Sequence, residues 1–139
     1  MRPLAPFLVA ASAAILLLLG LAHLLFTFSG TKLWPRDREL QVRMQEVSPV
    51  ITRQTTMWNA WIGFNATHSL GLILSGAVYG YLGLVHSDFL LDSVFLLSLG
   101  LMLLLAYAVL AKRYFFRTPF RGVLLATFLY ALALILGRG

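Results

Sequence analysis

"WNAWIGFNATHSLGLILSGAVYGYLG", residues 58 to 83, is the stretch whose reading decides the fold. From Trp61 to Gly83 it holds no charged residue. At a rise of 1.5 Å per residue, a helix of about 20 residues crosses a hydrocarbon core of about 30 Å. In lipid every backbone amide must be bonded internally, so such a run is helical. Three further runs read the same way. Phe7 to Phe28 carry no charge, Phe89 to Ala111 carry only Asp92 near the start, and Phe120 to Gly137 carry only Arg121 at the start. The expected helices are 5–28, 58–84, 89–112 and 119–137, which makes residues 1–139 a single transmembrane domain. The fold class that follows is all-α: an integral membrane four-helix bundle.

Composition agrees. Of 139 residues, 60% are hydrophobic and 12% charged, with a mean hydropathy of +0.85. A soluble domain carries about 25% charge, and one small core cannot hide this much apolar surface from water. The absence of cysteine excludes disulfides, thiolate catalysis and Cys-ligated metal centres. Arg2 is a minimal basic start, and no small-x-small site stands near Phe28. The first run is therefore read as a retained helix rather than a cleaved signal.

The net charge of +6 reports orientation in a membrane, and no nucleic-acid partner is expected. Lys32, Arg36, Arg38, Arg43 and Arg53 lie between runs one and two. Lys112, Arg113, Arg117 and Arg121 follow run three. Only Arg2 and Arg138 lie on the other side, with Asp88 and Asp92. The positive-inside rule places the basic loops in the cytoplasm and both termini outside.

The loop after the first run is too long for a simple turn. Leu40, Met44, Val47 and Ile51 follow helical spacing, with Asp37 as N-cap and Pro49 as terminator. Flanked by Trp34, Trp58 and Trp61, the segment reads as an amphipathic interfacial helix between helices 1 and 2, in contact with membrane lipid. A solvated loop packed on a partner is the alternative. Asp88 is the expected N-cap of the third long helix, with Asp92 in its first turn. Pro119 is expected to stop or restart a helix. Ser93, Gly100 and Tyr107, seven residues apart, are expected along a helix seam.

The polar residues of the second run need a reason to be in hydrocarbon. Asn65, His68, Ser69 and Leu72 share a helical face, and Gly76, Gly80 and Gly83 continue it. The Gly-x-x-x-Gly pattern at 76 and 80 admits a close neighbour helix. In the first run, "GLAHLLFTF" places His23 between Gly20 and Thr27. His23 and His68 lie about 7 Å and 10 Å from the cytoplasmic ends of their helices, by helical rise. Antiparallel neighbours would bring them together. Three roles remain open for such a cluster. One is register-fixing hydrogen bonds. Another is recognition of a lipid headgroup or quinone carbonyl. The third is haem ligation by the two histidines. No third intramembrane histidine or carboxylate supports a non-haem metal site. The expected ligand-binding set is His23, Asn65, His68, Ser69 and Thr27; no catalytic or metal-ligating residue is assigned, and the cofactor is unknown.

"GLAHLLFTF", "WIGFNATHSLG" (Trp61 to Gly71) and "YFFRTPF" (Tyr114 to Phe120) resemble a family of small four-helix bacterial inner-membrane proteins, over nearly the whole chain. The GxxHL segment also looks like short stretches of DoxX-like proteins. The resemblance implies a four-helix membrane fold and singles out His23, Asn65 and His68. It implies no established activity. No Ser–His–Asp, HExxH, phosphate-loop or nucleotide fingerprint occurs. The expected function is non-enzymatic: binding of a lipid-like or quinone-like ligand, or service as an accessory subunit with a membrane-protein partner or a second copy of the chain. The alternative is a redox or catalytic protein built on the two histidines.

Overall fold

The computed structural model describes residues 2–137. Among them every element is helical. After a 3-10 turn at Arg2–Leu4 come α1 (Ala5–Phe28), α2 (Arg38–Glu46), α3 (Met57–Val85), α4 (Ser87–Asp92), α5 (Val94–Tyr114) and α6 (Arg117–Gly137). The four helices α1, α3, α5 and α6 have 24, 29, 21 and 21 residues and are long and apolar enough to cross a membrane. The chain is a multi-pass membrane protein by that measure. The residues form two compact units: Met1–Leu19 with Leu72–Gly139, and Gly20–Gly71.

The first unit contains parts of all four long helices. Its core is built from Val9, Leu16, Leu72, Leu97, Leu104, Val123, Ala126 and Ala133, with the Tyr130 ring among them. Small residues set the helix spacings. At Gly76 an added Cβ would stand 2.7 Å from both the Ala13 carbonyl oxygen and the Leu17 amide nitrogen of α1. Those are backbone atoms, so α1 would have to move. At Gly80 the same atom would meet only the Ala13 Cβ at 3.6 Å, an ordinary contact. The Gly-x-x-x-Gly expectation therefore resolves into one tight position and one permissive position.

Gly100 has a different task. Without a side chain there, the α5 surface lies open to two tyrosines: Tyr79 Oη donates to the Leu96 carbonyl at 2.8 Å, and Tyr130 Oη to the Leu97 carbonyl at 3.2 Å. Both rings stand where a Gly100 Cβ would be and meet edge to face at 5.9 Å. Ser12 Oγ donates to the Ala126 carbonyl at 2.8 Å. Bonds of this kind satisfy hydroxyls that would cost several kcal/mol, about 2–7, if left bare in an apolar interior. Ser75 and Tyr107 also share a hydrogen bond. Gly100 and Tyr107 thus lie on a seam, whereas Ser93 caps a helix.

Three boundary expectations are corrected. The third long helix starts at Val94, not 89. Ser93 is extended (φ −89°, ψ 100°), and its Oγ accepts from the Leu96 amide at 3.2 Å, so Ser93 is the N-cap. Asp88 instead lies in the first turn of the separate helix α4, and Asp92 ends that helix. Helix α6 starts at Arg117, two residues ahead of the expected start; Pro119 sits in its first turn, where a missing amide hydrogen costs no helical bond. Helix α2 ends at Glu46, with Val47 extended behind it. Ile51 lies in the turn closed by Thr52 N–H to the Pro49 carbonyl at 3.2 Å, outside the helical face expected for it. Pro49 follows too soon for the helix to continue.

Candidate functional site

The second unit, Gly20–Gly71, contains the end of α1, helix α2 and the start of α3. Gly30, at φ +76°, turns the chain away from α1 in a conformation that favours glycine. Asp37 Oδ1 accepts from the Glu39 amide at 2.9 Å and the Leu40 amide at 3.4 Å, which starts α2 as expected. Thr56 Oγ1 accepts from the Asn59 amide at 3.2 Å and starts α3. The loop is tied to the base of α3. The Met57 amide donates to the Val47 carbonyl at 2.7 Å, and Trp61 Nε1 donates to the Leu33 carbonyl at 3.0 Å. The Trp34 and Trp58 rings stack edge to face at 5.5 Å. The Lys32 ammonium lies 3.9 Å over the Phe26 ring. These ties hold the end of α1 and the start of α3 together.

His23, Asn65 and His68 meet in this unit. Asn65 Oδ1 lies 2.9 Å from His23 Nε2. The His23 and His68 rings stand 5.2 Å apart, at 85° to one another. Asn65 Nδ2 donates to the Trp61 carbonyl at 2.8 Å, one helical turn back. That bond fixes the amide: reversing it would set Oδ1 against a carbonyl oxygen. Oδ1 therefore faces His23, and Nε2 must carry the proton that joins them. All three side chains are half-buried.

Thr27 and Ser69 behave differently. Thr27 is 5% exposed and Ser69 0%. Thr27 Oγ1 donates to the His23 carbonyl and Ser69 Oγ to the Asn65 carbonyl, both at 2.8 Å. Each hydroxyl gives its proton to its own helix, so neither has a donor left for a ligand. They brace the backbone that carries His23 and Asn65. Trp61 was not among the expected site residues, yet its carbonyl orients Asn65. The spacing of four between Trp61 and Asn65 is the sequence signal for it.

The geometry does not fit haem ligated by both histidines. A porphyrin would have to lie between the two rings, with a nitrogen of each aimed at the iron. Here the rings contact edge to face, and His23 Nε2 is engaged by Asn65. Among the described residues no group of three His, Cys, Asp or Glu side chains converges. In the first unit, the void beside Ser12, Tyr79, Gly100 and Tyr130 measures about 10 Å³, room for one water at most. That void is too small for an organic ligand. Compared with known proteins, the chain matches no family model, no curated protein and no solved structure.

Proposed function

We propose that this chain is a multi-pass protein of a bacterial inner membrane that binds an amphiphilic small molecule, lipid-like or quinone-like, through His23, Asn65 and His68. One observation carries the reading: two imidazoles and an amide, joined by a hydrogen bond of 2.9 Å and a ring contact of 5.2 Å, stand half-buried on helices apolar enough to span a membrane. Ionisable side chains are expensive in lipid, and where they occur they mark ligand or proton sites. A purely structural pair would be met by one interhelical bond contributing about 1 kcal/mol; here a second imidazole also packs against the first. The resemblance to small four-helix inner-membrane proteins belongs to this proposal.

Helix α2 fits a headgroup layer. Leu40, Val42 and Val47 are exposed on a segment that also bears Arg36, Arg38 and Arg43. Apolar side chains left bare beside basic ones suit an anionic lipid surface. With nine of eleven basic residues in the connection between α1 and α3 and at the facing ends of α5 and α6, the termini lie outside the cytoplasm. A periplasm-active reporter fused at the C-terminus should be active, and a cytoplasm-active one silent; the opposite pattern overturns this orientation.

Ligand binding is tested by thermal melting of the purified protein with a total lipid extract. A ligand that binds only the folded state raises stability by mass action, about 2.7 kcal/mol at one hundred times its Kd. The wild type should melt at higher temperature with extract. His68→Gln should keep the basal melting temperature and lose the increment. No increment in the wild type, or the same increment in both, contradicts the proposal.

A further inference from the structure

The proton position on His23 carries information about the ligand. The Asn65 amide is oriented by its bond to the Trp61 carbonyl, so His23 donates through Nε2 to Oδ1. In the neutral ring the other nitrogen, Nδ1, is then an acceptor. Nδ1 of His23 has no hydrogen-bond partner among the described residues; the one hydrogen bond of this side chain is the one to Asn65. It is also not sealed inside. No enclosed side-chain nitrogen or oxygen among the described residues lacks a partner, so an unbonded Nδ1 must open to the surface of the unit. The neighbouring hydroxyls of Thr27 and Ser69 are committed to their own helices. His23 thus presents a lone pair outward and keeps its own donor inside.

An acceptor left bare in hydrocarbon costs free energy until a donor reaches it. We infer that His23 Nδ1 accepts a hydrogen bond from a hydroxyl of a membrane-soluble ligand. The site then takes a hydroquinone or a glycerol headgroup in preference to a carbonyl-bearing or fully etherified counterpart. This rests on the binding role proposed above and specifies its chemistry. A quinone offers only acceptors and would face the His23 lone pair with its own. Asn65 is the positioning residue, because it holds the proton on the far nitrogen.

The test uses the full chain in nanodiscs of phosphatidylcholine, whose headgroup has no hydrogen-bond donor. Three probes are titrated anaerobically by calorimetry: a short-chain trimethylhydroquinone, the corresponding quinone, and the dimethyl ether of the hydroquinone. The hydroquinone should bind about tenfold tighter than the other two, the worth of one hydrogen bond in an apolar setting. Asn65→Leu, which releases the tautomer, should remove that preference. Repeating the titration in phosphatidylglycerol separates the two sources of the hydroxyl. Weaker apparent hydroquinone affinity there identifies the glycerol headgroup as a competitor, and unchanged affinity identifies the free hydroquinone; both support hydroxyl recognition. Equal or tighter binding of the quinone or the ether overturns the inference and leaves the binding site standing. No binding by any probe in either lipid overturns both. Nitrogen-15 NMR of histidine-labelled protein gives a reading independent of ligand: a His23 proton on Nδ1 overturns the inference.

Discussion

Gly76→Leu is expected to be the most destabilising single change in the first unit. Even a methyl at Gly76 would press on the backbone of α1, within 2.7 Å of the Ala13 carbonyl oxygen and the Leu17 amide nitrogen. Backbone cannot rotate out of the way as a side-chain tip can, so the two helices must separate. Separation also breaks the packing of Leu16 and Leu72, both buried in the same core. Overpacking of this kind costs about 1–3 kcal/mol, occasionally more. A leucine against backbone belongs at the upper end. Gly80→Ala is the control, because its Cβ would make only an ordinary contact at 3.6 Å. Thermal melts in detergent should show a large fall for Gly76→Leu, a clear fall for Gly76→Ala and nearly none for Gly80→Ala. Equal effects at 76 and 80 would contradict the helix spacing described here.

Asn65→Leu is expected to have the largest effect on binding. The amide makes two bonds, accepting from His23 Nε2 at 2.9 Å and donating to the Trp61 carbonyl at 2.8 Å. The Trp61 carbonyl lies near the start of α3, and losing that bond is minor. Losing the other leaves a buried-side imidazole hydrogen without an acceptor, and the ring is then free to change tautomer or swing. Interhelical bonds of this type contribute about 1 kcal/mol to stability, so the fold should persist with a small drop in melting temperature. Ligand affinity should fall about tenfold or more, because the acceptor geometry at His23 is lost. A variant that melts like the wild type and binds like it would remove Asn65 from the site.

The membrane-spanning helices were legible because their cause is local. A run without charge, long enough to cross a bilayer, has one stable backbone state, and the limits of α1 and α3 followed within a residue. The meeting of His23, Asn65 and His68 was legible for a similar reason. Helices α1 and α3 run antiparallel, so the end of one and the start of the other share depth, and residues 65 and 68 share a face. The break at Ser93 was not legible, because Asp88 and Ser93 both suit a helix start. Which one caps depends on where α4 ends. Pro49 was legible as the terminator of α2, but Val47 and Ile51 continue its spacing, and only the structure shows that both lie beyond the helix, which ends at Glu46. The tyrosine bonds to α5 carbonyls were invisible. Gly100 reads as a small residue on a seam, and only the packing of Tyr79 and Tyr130 against it reveals why it is small. The silence of Thr27 and Ser69 was equally hidden, since a hydroxyl bonded to its own helix has the same sequence as one facing a ligand.

The central claim is that His23, Asn65 and His68 hold a small molecule in the membrane. Native mass spectrometry of the protein released from membranes without detergent exchange tests it most directly. The account predicts a single retained amphiphile at about one per chain on the wild type, lost from Asn65→Leu and His68→Gln while both variants remain folded. A wild type that carries only the bulk lipids of the membrane, in the same proportions as the two variants, would contradict it.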